Sequence, residues 1–209
     1  MLSIASKRGL LAAAGPDSVI GASIDSVREA FAASSAPGNN VKPFTPQLTI
    51  NVGRRISQVA FSADENYLVI SAESGGGLGV YDVQSLLQGN KTPTFELSTN
   101  STSLRALVPN PNVEKAELFA VVTTNGELMM ANLKTRQFLN GAQGQIMMNG
   151  VSCVSWSTRG KQLVAGLGNG TCSQITPEGD RKGELPRPPD LQGDEYGMSI
   201  KSATLVFNL

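Results

Sequence analysis

The sequence contains no histidine. Ser-His-Asp and Cys-His nucleophile systems are therefore excluded, and so are metal sites built on imidazole. Only two cysteines occur, Cys153 and Cys172. They form no C-x-x-C pair, and two thiols alone cannot assemble a zinc site. Nothing suggests secretion, so both are expected as buried, reduced thiols, with one disulfide between them as the alternative. Charge is sparse, 16% of residues, and balanced, with 17 basic against 17 acidic side chains. That balance excludes the basic footprint of a nucleic-acid binder. Long apolar runs are also missing. Leu10 to Ala14 is too short for a signal core and far too short for a membrane span. No membrane insertion is expected, and the default location is cytosol or nucleus. Sequons at Asn90, Asn100 and Asn169 would matter only in the secretory pathway.

What is present is turn chemistry. The 209 residues include 22 glycines and 11 prolines, scattered through the chain. Few charges with many turn residues favour β structure. The length is enough to bury a core, as one domain or two small ones.

A repeat underlies the pattern. ISQVAFSADENYLVIS at 56–71 aligns with VSCVSWSTRGKQLVAG at 151–166. Val59 meets Val154, Phe61 meets Trp156, and Leu68-Val69 meets Leu163-Val164, each pair 95 positions apart. Both segments run into glycine turns, Gly75-Gly76-Gly77 and Gly168-Asn169-Gly170. A middle copy follows Leu104 to Val108, Pro109 to Asn112, Leu118 to Val122, the turn Asn125-Gly126 and Leu128 to Leu133. A weaker first copy pairs Leu10 to Ala14 with Ser18 to Ala22 across Pro16-Asp17. A period of about 45–50 residues is that of four-stranded propeller blades. Tyr67 to Ile70 is apolar on both faces, as an inner strand should be. Gly79 to Val83 carries Tyr81-Asp82 where the best-known propeller repeats carry Trp-Asp. The fold class is therefore all-β, a WD40-like β-propeller with copies for about four blades. They are expected near 2–22, 48–86, 102–138 and 151–185. Ile24, Val27, Ala30 and Phe31 share one face of a short helix. Residues 34–47 read as a loop. The charged stretch from Pro177 is expected to hold an outer strand and an exposed connection.

Candidate chemistry is thin. Gly166 to Gly170 lacks the Lys-Ser/Thr of a phosphate loop and breaks the G-x-G-x-x-G spacing at Thr171 and Ser173. A hairpin turn needing positive φ explains it. Asp64-Glu65 and Glu178 with Asp180 are expected as solvated turn carboxylates. Arg54-Arg55, Lys161 and Arg181-Lys182 have no interleaved aromatics, so no direct nucleic-acid groove is expected. Met129-Met130 and Trp156 are expected in the core, whereas Met147-Met148, beside the glycine-containing stretch 141–144, is either core or adaptable contact surface. No catalytic, cofactor-binding or metal-binding residue is assigned.

The segments at 8–20, 56–86 and 155–170, with Pro186-Arg187-Pro188-Pro189, resemble the N-terminal β-propeller of the fungal cytoplasmic-face FG nucleoporins. Their vertebrate counterpart is the large cytoplasmic-filament FG nucleoporin. The most specific wording runs from Asp64-Glu65 to Tyr81-Asp82. The resemblance implies a seven-bladed propeller that does no catalysis and docks a DEAD-box RNA helicase for mRNA export at the cytoplasmic face of the nuclear pore complex. Other nucleoporins are further implied partners. No Phe-Gly dipeptide occurs, and the tail at 198–209 departs from the family pattern. With about four blades of seven, a truncated propeller over 1–197 is expected to aggregate or to self-associate. No contact residue is transferred, because the family's helicase loops lie mainly in later blades. An unrelated propeller adaptor in a signalling or ubiquitin complex is the alternative, and a propeller-scaffold enzyme a third reading.

Overall fold

A computed structural model describes residues 1–34, 46–140 and 145–185. These residues form four four-stranded antiparallel sheets, each with its strands in sequence order. The first sheet contains β1 (Leu2–Ala5), β2 (Leu10–Ala14), β3 (Ser18–Ser23) and β4 (Leu48–Asn51). Helix α1 (Ile24–Ser34) is inserted between β3 and β4. The second sheet contains β5 (Ile56–Phe61), β6 (Tyr67–Ala72), β7 (Leu78–Asp82) and β8 (Phe95–Leu97), with helix α2 (Val83–Leu87) after β7. The third contains β9 (Leu104–Pro109), β10 (Leu118–Thr123), β11 (Leu128–Asn132) and β12 (Gln137–Phe138). The fourth contains β13 (Val151–Trp156), β14 (Leu163–Leu167), β15 (Cys172–Ile175) and β16 (Arg181–Leu185). Successive sheets meet through their first strands: β1 packs on β5, β5 on β9 and β9 on β13. This is a blade arrangement, with the first strand innermost and the fourth at the rim.

Period-2 alternation explains how the blades hold together. A strand sends successive side chains to opposite faces. In β10, Phe119 and Val121 enter the core shared with the second blade, whereas Leu118, Ala120 and Val122 enter the core shared with the fourth. In β6, Val69 faces the third blade, and Leu68 and Ile70 face the first. Three apolar cores thus fill the three interfaces between four blades. Each fully buried Leu, Ile or Phe contributes about 1.5–3 kcal/mol, so the interfaces dominate the stability. The expected inner-strand character of 67–70 is observed, because both faces of β6 are covered.

Two boundaries differ from the sequence reading. The copy expected from 48 to 86 starts too early and ends too soon. Leu48–Asn51 pairs with β3, Val19 opposite Ile50, and completes the first blade. The rim strand of the second blade is Phe95–Leu97, opposite β7. In these two blades a helix, α1 or α2, separates the rim strand from the three strands before it. The helix expected over Ile24 to Phe31 forms, but its apolar stripe is not buried, and Phe31 is 73% exposed. Gly166 to Gly170 is the β14–β15 turn. The Gly170 amide donates to the Leu167 carbonyl at 3.0 Å, with Gly170 at φ 79. The expected outer strand after Pro177 is β16, all of it exposed and rich in charge, which discourages edge pairing. The Pro186 to Pro189 motif, the tail at 198–209, the stretch 141–144 and most of the loop at 34–47 lie outside the described residues.

Candidate interaction surfaces

Among the described residues no group of three or more His, Cys, Asp or Glu could hold a metal, and no helix is long and apolar enough to cross a membrane. Glu178, Asp180, Lys161, Arg181 and Lys182 are separate residues on turns and on β16. Met129 and Met130 are buried on opposite faces of β11, one in each neighbouring core. Met148 joins the core between the third and fourth blades, bridging to Leu128, so it fills the core. Trp156 is 6% exposed there, and its indole N–H donates to the Val108 carbonyl at 3.0 Å.

The cysteines are half-buried rather than buried, and neither is in a disulfide. Cys153 and Cys172 each stand opposite Gly166, on either side of β14. Burial, and then the neighbouring Cys153, push the Cys172 thiol above its ordinary pKa. Asp82 acts locally. Its carboxylate accepts from the Ser85 amide at 2.7 Å and caps α2. That backbone bond, followed by one from the Ser85 hydroxyl, holds its pKa below the usual aspartate value.

Glu65 departs most from the sequence reading. It is 8% exposed rather than solvated. Its two carboxylate oxygens accept from the backbone amides of Lys7 at 3.0 Å and Arg8 at 2.9 Å, in the β1–β2 turn of the neighbouring blade. Asp64 stays local, accepting from the Ser62 hydroxyl and from Asn66. A second tie sits at the same level between the third and fourth blades. Asn110, fully buried in the β9–β10 turn, donates its amide to the Gly160 carbonyl at 2.9 Å. Gly160 occupies the repeat position of Glu65, and both are left-handed, at φ 65 and φ 61. The sequence shows this position only as a turn, because the partner is 57 or 58 residues away.

Two grooves flank the second blade, one against the first blade and one beside the linker that follows β4. One, of about 280 Å³, is apolar and is lined by Leu10, Leu48, Phe61, Leu68 and Leu86, with Lys91 at its rim. The other, of similar volume, is polar and lies at the Gly75 to Gly77 turn. On β1, Leu2 and Ile4 share one face and are 57% and 52% exposed.

The blades pack through alternating strands and are tied to one another at their turns. Residues 1–206 match the family described as the NUP159/214 beta propeller. The chain belongs to that family. It is 52% identical over 200 residues to nucleoporin NUP159 of Chaetomium thermophilum, covering 96% of this chain and 13% of that protein. It is 31% identical to nucleoporin nup146 of Schizosaccharomyces pombe, over 66% of this chain and 10% of that one. Nuclear pore complex protein Nup214 of Drosophila melanogaster is 27% identical over 91% of this chain and 11% of its own length. Among solved structures, the N-terminal domain of Nup159 superposes with a TM-score of 0.63 at 15% identity, over 91% of this chain and 45% of that one. A chain in the assembly of a Saccharomyces cerevisiae Dbp5 variant bound to Nup159, a Gle1 variant, IP6 and ADP superposes with a TM-score of 0.64 at 15% identity, over 92% of this chain and 45% of its own. The chain therefore spans a small part of these relatives and under half of the solved propeller. The propeller expected from the resemblance is the observed fold. The family comprises nuclear pore proteins rather than enzymes, which sets aside both the unrelated adaptor and the propeller-scaffold enzyme.

Proposed function

We propose that this chain is part of a non-catalytic docking platform on the cytoplasmic face of the nuclear pore complex, which holds a DEAD-box RNA helicase for mRNA export. The observation that carries the reading is the 52% identity to a NUP159 nucleoporin across 96% of the chain. The second superposed assembly contains Dbp5 and Gle1 together with Nup159, which supports a helicase and neighbouring pore proteins as the partner class. Docking needs rigid blades with exposed loops, and the ties at Glu65 and Asn110 supply that rigidity. No direct nucleic-acid contact is proposed, since the chain is formally neutral. The test is retention of the purified helicase of the same organism by an immobilised longer product carrying these residues. Retention by the longer product supports the reading, and its absence refutes it.

Self-association is a second proposal, resting on the uncovered apolar face of β1 at Leu2 and Ile4. Light scattering of the 209-residue chain should show a mass above one chain, falling when Leu2→Ser and Ile4→Thr are introduced together. A monomer at all concentrations refutes it.

A further inference from the structure

The polar groove at the Gly75 to Gly77 turn holds charged and polar groups that the fold leaves unmatched. Arg54 and Glu96 both line it. Neither belongs to an ion pair among the described residues, whereas the adjacent Arg55 pairs with Glu73 at 3.2 Å. Arg54 is held in place without charge neutralisation. Its guanidinium donates to the Ser74 carbonyl at 2.9 Å and lies where a Cβ on Gly75 would stand. Tyr81 forms part of the groove wall, is 6% exposed and packs its ring against Gly79. Its hydroxyl has no hydrogen-bond partner among the described residues. Burial first, and Glu96 second, raise its pKa against the opposing effect of Arg54, so the phenol remains a donor at neutral pH.

The turn itself is braced. Gly75, Gly76 and Gly77 have φ 83, 61 and 84. Thr99 accepts from the Gly77 amide at 2.6 Å and donates to the Thr102 carbonyl at 2.6 Å. A Cβ on Gly76 would collide with Thr102. The amides of Gly75 and Gly76 make no hydrogen bond among the described residues, and both glycines line the groove beside Arg54. A braced loop loses little entropy when a ligand binds.

A guanidinium and a carboxylate that share a groove without pairing suit a ligand carrying both signs. We propose that this groove binds a short peptide segment in which an acidic side chain stands near a basic one. The ligand carboxylate is held by Arg54 and the Tyr81 hydroxyl, and its cation by Glu96. Glu96 disfavours a phosphate dianion, and a single carboxylate is too little for a divalent cation. The site is separate from the helicase docking proposed above and does not depend on it.

The test uses the 209-residue chain, labelled with nitrogen-15, and the capped tripeptide acetyl-Glu-Gly-Lys-amide at low ionic strength. The Gly75 and Gly76 amide signals should shift saturably, with a dissociation constant on the order of millimolar. Arg54→Gln and Glu96→Gln should each weaken binding by about tenfold, as expected for a charge-assisted bond, and Tyr81→Phe by about threefold. Arg54 and Glu96 are exposed, and Tyr81→Phe keeps the ring, so all three variants should retain the parent circular dichroism spectrum. Acetyl-Gln-Gly-Gln-amide should not saturate the shifts. The proposal is overturned by absence of saturation up to about ten times the expected constant, by variants that bind like the parent, or by inorganic phosphate binding as tightly as the peptide.

Discussion

Replacing Glu65 tests whether blade turns are tied together or merely adjacent. In Glu65→Ala the backbone amides of Lys7 and Arg8 lose their acceptors, at 3.0 and 2.9 Å. Hydrogen bonds to a charged partner are worth about 1.5–3 kcal/mol each. Lys7 and Arg8 are exposed, so water recovers part of the loss and the expected cost is about 2–4 kcal/mol. Glu65→Gly loses the same bonds but relieves a left-handed backbone at φ 61, a conformation that costs a residue with a Cβ about 1–2 kcal/mol. Glu65→Gln keeps one acceptor oxygen. The order of stability should be parent, then Gln, with Gly above Ala by about 1 kcal/mol. Urea unfolding followed by circular dichroism measures it through the midpoint at constant slope. If Ala matches the parent, or equals or exceeds Gly, the inter-blade tie does not contribute and the backbone argument fails.

At the matching position in the fourth blade, Gly160→Ala should cost about 2–4 kcal/mol, because its Cβ would overlap the buried Asn110 amide at a backbone φ of 65. Gly168→Ala, whose nearest new contact is 3.8 Å away, should stay within about 0.5 kcal/mol in the same urea assay. Asp82→Ala should destabilise by about 1 kcal/mol at neutral pH through loss of the α2 cap. Because the folded pKa of Asp82 is depressed, the charge-dependent part is present above the unfolded value of about 3.9 and is lost as pH falls through the folded value. The gap between parent and Asp82→Asn should therefore narrow in acid, and a gap that widens would contradict the cap. Diamide should produce no disulfide within one chain, as mass spectrometry would show. Cys153 and Cys172 are separated by β14, about 9.5 Å in strand spacings against a reach of about 7 Å. In thiol titration, Cys172 should become reactive only at a pH above that of a free cysteine, since its pKa is raised.

The parts of this molecule legible in its sequence are those set by neighbours a few residues away. Tyr67 to Ile70 shows a strand covered on both faces because burial on two sides removes the polar alternation, and Gly168 to Gly170 shows a turn because its backbone needs positive φ at Gly170. Such signals repeat, so blade number and hairpin positions follow from self-similarity. What the sequence hides depends on partners far along the chain. Leu48 reads as the opening of the second copy, because its pairing partner Gly21 lies across α1. Glu65 reads as an ordinary acidic turn residue, and only the approach of the Lys7 and Arg8 amides makes it structural. The polar groove follows the same logic. Arg54 and Gly75 to Gly77 look like a basic spot and a turn, and they share a site only because β6 brings the turn back beside the entry to β5. A propeller keeps the hairpin cores of its blades similar while the groups meeting between blades differ. The position held by Glu65 in the second blade is held by Gly160 in the fourth, where Asn110 of the preceding blade supplies the tie. Binding specificity in this fold should therefore reside in the inter-blade turns, where local sequence pattern carries the least information.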